Sequence, residues 1–314
     1  MDIILHLGAH RTASTSFQSY MRHNLADLTA QGVGFWGPSR TRGGLFAGII
    51  PANGSPRLSR QARMAKGRIA LHLDRAQVHG TRVMIVSDEN VLGTSRRNFR
   101  DLMLYRGAGE RMARHADAFG GKISRVVLSI RDFDRYWPSV LAYVAGRGNG
   151  LPTPAQLDRI ATQTRGWRDV ITDLACALPG VEILVLPHEV YAGIPERRLE
   201  IMTAGKVRAP LHHHRVWLNR APDLPSLRNI LTLRGENPDL LGPDTATGRY
   251  DPFTPAQSAR LREMYQDDLF WLSAGADGLA TLITENRRDQ AGTNPPGDIL
   301  TRVKDDDQQE GRVA

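Results

Sequence analysis

Residues 3 to 18 read IILHLGAHRTASTSFQ: an apolar run, a loop of small and polar residues, then the opening of an amphipathic segment. Ile3, Ile4, Leu5 and Leu7 suit a buried strand, and from Thr15 onward the spacing is that of a helix. A helix that starts straight after such a loop points unpaired backbone N–H groups and the positive end of its dipole at one place. That place suits an anionic group, and phosphate is the first expectation.

Walker A is the template to test against this loop. Counted from Gly8, Ala13 falls where the second glycine belongs, Ser14 where the lysine belongs and Thr15 where the serine or threonine belongs. The spacing fits but the chemistry does not, which weakens a nucleotide-dependent P-loop kinase. A cation nevertheless stands inside the loop, Arg11, followed by Thr12-Ala13-Ser14-Thr15-Ser16.

A second chemical signal lies at residues 126 to 143, VVLSIRDFDRYWPSVLAY. Val126 to Ile130 read as a strand ending in Arg131, and Trp137, Val140, Leu141 and Val144 form the apolar face of a following helix whose first turn is expected near Trp137. Ser139 stands eight residues after Arg131. A guanidinium offers forked donors matched to phosphate oxygens, and a hydroxyl on a fixed helix adds a neutral bond.

The loop Arg11 to Ser16 and the pair Arg131 and Ser139 resemble the two nucleotide motifs of the sulfotransferases that use 3′-phosphoadenosine 5′-phosphosulfate (PAPS). The resemblance extends in element order over residues 1 to 200, with EILVLPHEVY at 182 to 191 similar to the strand and acidic turn of that family. It implies a soluble, bacterial-like PAPS-dependent enzyme that moves a sulfuryl group to a hydroxyl or amine, with PAPS as co-substrate and no metal. It further implies that Arg11, Thr12, Ala13, Ser14, Thr15 and Ser16 hold the 5′-phosphosulfate, and that Arg131 and Ser139 hold the 3′-phosphate. Arg11 would stabilise the leaving phosphate. Two departures stand out: the family usually has Lys where Arg11 stands, and Ser16 occupies the place of an aromatic, while Phe17 is expected to face the core.

The strand at 83 to 87 closes on Asp88 and Glu89. In a parallel sheet, chemistry gathers at the carboxyl ends of the strands, so both are candidate bases, Glu89 first; either could equally cap the next segment. Glu189 reads as a capping or structural residue. Arg215, Asn219 and Arg220 are weak candidates for a loop covering the nucleotide. His212, His213 and His214 are adjacent, with no ligand at metal spacing beyond them, and no metal is expected.

Apolar strands at 3 to 7, 83 to 87, 126 to 130 and 182 to 186, separated by helical segments, call for a three-layer, P-loop-like α/β fold with a mainly parallel central sheet flanked by helices. Residues 33 to 56 read as an irregular excursion in which Trp36 and Phe46 either line a pocket or pack. One domain over residues 1 to 287 is expected, and a disordered tail over 288 to 314.

The formal charge of +8 favours an anionic partner: a nucleotide, an acidic glycan, a lipid headgroup or nucleic acid. The basic segment 57 to 80 is either a solvated face or a surface for an anionic acceptor, and nucleic acid is disfavoured because no aromatic residues interleave its arginines. The single cysteine, Cys176, precludes an intrachain disulfide and reads as a buried structural residue. No apolar run is long enough to span a bilayer, and a strand starting at residue 3 leaves no room for a signal peptide, so a cytoplasmic protein is expected. The acceptor is a small molecule, glycan or lipid. A basic nucleotide-binding protein without turnover is the non-enzymatic alternative.

Overall fold

Six strands, β1 (Asp2–Gly8), β2 (Val33–Trp36), β3 (Val83–Ser87), β4 (Arg125–Ile130), β5 (Glu182–Pro187) and β6 (Thr281–Leu282), form one sheet in the order β2-β3-β1-β4-β5-β6. Every neighbouring pair is parallel. The structure is a computed structural model that describes residues 1 to 50, 58 to 243 and 247 to 284. β1 lies between β3 and β4, with His6 in register with Ser87 and Gly8 with Ser129. The chain turns to one side of β1 for β2 and β3 and to the other for β4 and β5, which makes the carboxyl end of β1 the switch point where α/β sheets open a crevice.

Alternation of side chains divides the sheet into two buried faces. Ile3, Leu5, Leu7, Val86, Leu128 and Val185 point to a front core filled by Ile69, Met112, Trp137, Leu141, Trp167 and Leu261 from the helices Leu58–Val78, Ala108–Ala118, Phe133–Gly146, Trp167–Ala177 and Pro255–Ser273. Ile4, Ile85, Val127 and Leu184 point to a smaller rear core closed by Phe17, Tyr20 and Met21 of helix Ser14–His23 and by Leu199 and Met202 of helix Pro195–Met202. Both faces of the sheet are covered, so the layers are helix, sheet and helix, and Phe17 is fully buried. Residues Met1 to Ile283 form one compact unit. The tail placed at 288 to 314 lies outside the described residues.

Two strands escape the sequence reading. β2 carries Gly34 between Val33 and Phe35 and is only four residues long, too short for alternation to register. β6 is two residues long at the far edge. Trp36 packs in the front core and Phe46 packs against His115 and Phe119 at ring separations of 5.3 and 5.9 Å.

Helix boundaries also differ. The first helix stops at His23, because Asn24 turns its amide back to the Tyr20 carbonyl (2.9 Å) and on to the His212 carbonyl (2.9 Å); a second helix then runs Leu25–Ala30. The helix after β4 begins at Phe133, not near Trp137. Asp132 caps it by accepting the Asp134 N–H (3.1 Å), and Pro138 therefore lies in the helix interior, leaving the Asp134 carbonyl without its usual donor. Between residues 154 and 177 two helices run, Pro154–Ala161 and Trp167–Ala177. Cys176 is exposed, a correction to the buried reading: Leu174 and Leu178 take the core-facing positions on either side of it. Among the described residues no helix is long and apolar enough to cross a membrane.

Candidate functional site

The loop between β1 and its helix is held from below. Ala9 N–H donates to the Ser129 carbonyl (3.1 Å), and Thr12 turns both its N–H (3.2 Å) and its hydroxyl (2.6 Å) onto the Ala9 carbonyl. Thr12 is therefore spent inside the loop. Arg11 and Ala13 adopt left-handed backbone at φ 67° and 62°, uncommon for residues with a Cβ. That conformation turns the chain so that the Ala13, Ser14, Thr15 and Ser16 N–H groups emerge at the helix start, and no backbone acceptor among the described residues takes them. Ser14 Oγ is buried with no hydrogen-bond partner and lies against Gly8, where a side-chain carbon would collide with it. A larger residue at position 8 would have to displace that hydroxyl.

Two guanidinium groups meet beside this loop. Arg11 Nε donates to Ser139 Oγ (3.0 Å), its charge lies over the Tyr143 ring (5.1 Å to the centroid), and Arg131 Nη1 donates to the Arg11 carbonyl (2.7 Å). Arg131 Nε is buried without an acceptor, and the Arg131 carbonyl is fixed by the Trp167 indole N–H (2.9 Å). Burial, then the Arg131 charge, pull Arg11 down to about 10, so it stays cationic at neutral pH. Burial also lowers Arg131. His188, just past β5, lines the same cleft with its Nδ1 buried and unpartnered; burial first, then Arg131 and Arg198, bring it down to about 3. It is a neutral imidazole among cations.

Across the cleft stands Glu89. Its carboxylate accepts from Gln18 Nε2 (3.0 Å) and from Arg42 Nη2 (2.8 Å). Burial pushes it up, but His10, Arg42 and Gln18 outweigh burial and hold it below the ordinary glutamate range. Asp88 is committed elsewhere: it caps Asn90 N–H (3.0 Å), accepts the Thr41 hydroxyl (2.5 Å) and pairs with Arg42 (2.7 Å). The two carboxylates thus separate into a buried structural Asp88 and a cleft-facing Glu89. His10 bonds Tyr105 Oη through Nδ1 (2.8 Å) and Asn90 Oδ1 through Nε2 (3.1 Å), leaving neither ring nitrogen free.

A late loop closes the cleft. Leu218 N–H donates to Ser16 Oγ (2.8 Å) and Asn219 Nδ2 to Thr15 Oγ1 (3.3 Å), which ties this loop to the first helical turn. Asn219 and Arg220 line the cleft; Arg215 does not, and bonds His214 instead (3.2 Å). Trp217 and Arg249 join them, unflagged by the sequence because neither stands in a pattern that carries chemistry alone. The Arg220 guanidinium lies over Trp217 (5.8 Å). The cavity measures about 280 Å³, at the small end for ligand clefts.

Glu189 bridges elements, accepting from Asp132 N–H (3.0 Å) and Tyr265 Oη (2.9 Å). His213 packs against His23 with the rings tilted (4.7 Å between centroids), and among the described residues no three His, Cys, Asp or Glu side chains converge as a metal site. Arg11, Ser14, Thr15, Glu89, Arg131 and Ser139, drawn from four separate segments, share one cleft at the carboxyl end of the sheet. Comparison of the chain with protein-family models, curated proteins and solved structures returned no match.

Proposed function

We propose that the cleft binds PAPS and transfers its sulfuryl group to a hydroxyl or amine acceptor. The observation that carries this reading is the junction of Arg11, Ser139 and Arg131: a cation of the loop and a cation at the end of β4 are bonded into one site, with unfilled donors at both. Such a site suits a nucleotide with anionic groups at two positions. The free N–H groups of Ala13 to Ser16 suit the 5′ end, and Arg131 with Ser139 suits the 3′-phosphate. The exposed indole of Trp217 offers a face on which a purine stacks.

In the reaction the acceptor oxygen or nitrogen attacks sulfur and the bond from sulfur to the bridging phosphate oxygen breaks. The bisphosphate nucleotide leaves with that electron pair, and the acceptor proton passes to Glu89. Arg11 and the loop N–H groups take up the charge that grows on the leaving phosphate. Glu89, held ionised by Arg42, is a weak base; it accepts the proton late, once bonding to sulfur has made the acceptor acidic. The acceptor is a small molecule, glycan or lipid. Arg60, Arg63 and Arg75 of helix Leu58–Val78 are exposed, but no described residue of that helix lines the cleft.

The test is thermal stability with 3′-phosphoadenosine 5′-phosphate against ATP with Mg²⁺, followed by sulfuryl transfer from labelled PAPS to an acceptor panel. Stabilisation by the bisphosphate and label in an acceptor are expected. Stabilisation by ATP with Mg²⁺ alone would assign a kinase, and bisphosphate binding without turnover a binding protein.

A further inference from the structure

Beneath the loop lies a guanidinium with no counter-ion. Arg198, on helix Pro195–Met202, is 1% exposed. Its Nη2 donates to Ser129 Oγ (2.9 Å) and His6 Nε2 (3.0 Å), and Nη1 reaches the Ala13 carbonyl (3.5 Å). Nε has no acceptor. No carboxylate among the described residues pairs with it; Glu200 on the same helix pairs with Arg197.

The rear face of the sheet is built to receive this group. Ile4, Ile85 and Val127 are apolar, but at the carboxyl ends of the same strands His6, Ser87 and Ser129 replace them, all buried. His6 Nδ1 bonds Ser87 Oγ (2.7 Å), and Gln18 Nε2 bonds both Ser87 Oγ (3.2 Å) and Glu89 (3.0 Å). With Arg198 donating to Nε2, His6 is a neutral acceptor, so no anion in this layer cancels the charge, which the Phe17 ring faces (5.1 Å to its centroid). A charge enclosed by neutral partners opposes folding unless an anion stands near it. Ala13, which Arg198 approaches, opens the helix whose N–H groups face the cleft. The charge is felt there: Arg198 is among the groups that lower the imidazole of His188.

We infer that Arg198 is a fixed counter-charge set behind the loop, acting through its floor on a multiply charged anion of the pyrophosphate or phosphosulfate kind held at Ala13 to Ser16. It does not touch that anion and is a positioning residue. The inference rests on the anion-binding role of the loop that the proposed reaction also uses, and not on sulfuryl transfer itself. A group serving only as a strut needs its fork of hydrogen bonds; a counter-charge needs only its charge.

The experiment measures binding of inorganic pyrophosphate to the full chain by calorimetry, and melting without added anion, for the wild type, Arg198→Met and Arg198→Lys. Arg198→Met is expected to weaken pyrophosphate about tenfold or more while the anion-free melting temperature holds or rises. Arg198→Lys keeps the charge and abandons the fork, and is expected to bind within about threefold of the wild type. Met binding as tightly as the wild type, Lys binding as weakly as Met, failure of both variants to fold, or no pyrophosphate binding by the wild type overturns the inference. If only the Met variant fails to fold, the Lys affinity decides by the same threefold and tenfold marks. A wild type that binds pyrophosphate but does not prefer the bisphosphate nucleotide keeps the counter-charge and loses the sulfotransferase. Unchanged binding of pyrophosphate and the bisphosphate by Arg198→Met does the reverse.

Discussion

Arg11 and Ser139 are joined by a 3.0 Å hydrogen bond that spans the loop after β1 and the helix after β4. Ser139 is thus placed to orient Arg11 as well as to meet a ligand. Ser139→Ala removes one bond to a charged group, expected to cost about 1.5 kcal/mol or more of nucleotide binding. Affinity for 3′-phosphoadenosine 5′-phosphate should fall about tenfold and that for ADP about twofold. An equal fall for both in parallel titrations would assign Ser139 to Arg11 alone.

Arg11→Ala should reduce sulfuryl transfer about a hundredfold or more, because its charge is needed most when the phosphate leaves. The bisphosphate dissociation constant should rise far less. Arg11→Lys should recover part of the rate, since the ammonium keeps the charge but loses the planar bond to Ser139. Steady-state rates beside equilibrium binding separate these outcomes; parallel loss of binding and rate would make Arg11 a ground-state contact.

Glu89 is held below its ordinary range, so the acid limb of its pH–rate profile should lie below about pH 4.5, with no Glu89-dependent change above it. In the linkage sense a lowered carboxylate stabilises the fold above its unfolded value, and that contribution is lost as pH falls through the folded one. Arg42→Ala removes the Nη2 bond and should move the limb upward. It also strips the buried Asp88 of its cation, at a cost on the order of 3 kcal/mol in stability. The profile is read as log(kcat/KM) against pH for both proteins; a limb that does not move removes Glu89 from the proton transfer.

The fold was largely legible because its four longest strands are apolar on both faces and stand between helical patterns. Arg11, Arg131 and Ser139 were legible because their spacing carries chemistry. His188 and Trp217 were not, since a lone histidine after a strand and an aromatic in an irregular loop acquire meaning only when folding brings them to Arg131 and Thr15. Pro138 misled, because a proline usually marks the first turn of a helix and here occupies its interior. Cys176 misled because its neighbours are apolar, yet its own position on the turn faces out.

Gly8→Ala should destabilise the fold by about 2 kcal/mol and abolish anion binding, because the added carbon meets Ser14 Oγ. Removing that oxygen with Ser14→Ala should restore part of the stability in the double variant. Additive losses in chemical denaturation would show that the backbone, not the hydroxyl, resists the change.

Asp268 accepts the Trp167 N–H (2.6 Å) and the Arg168 N–H (3.3 Å), capping one helix from another. Burial raises it from 3.8 to about 6, so the folded state binds its proton more tightly than the unfolded chain. Its contribution therefore falls as pH rises from about 4 to 6 and is constant above, on the order of 3 kcal/mol in all. Asp268→Asn keeps an acceptor and should flatten that slope. Stability against pH by urea titration decides, and an unchanged slope would assign it to other groups.

Leu5 pairs with Val86 on one side and Val126 on the other, so the strand that leads into the anion loop is completed only by much later segments. On a ribosome, β1 must wait until β4 has emerged before its hydrogen bonds are filled. Until β3 arrives it is an apolar ribbon open on both edges, and until β4 arrives it is open on one, a template for wrong pairing. Nascent chains halted before residue 125 should bind hydrophobic-segment chaperones, and chains extended past 130 should begin to release them. The order of synthesis thus writes the ligand loop before the strands that set it.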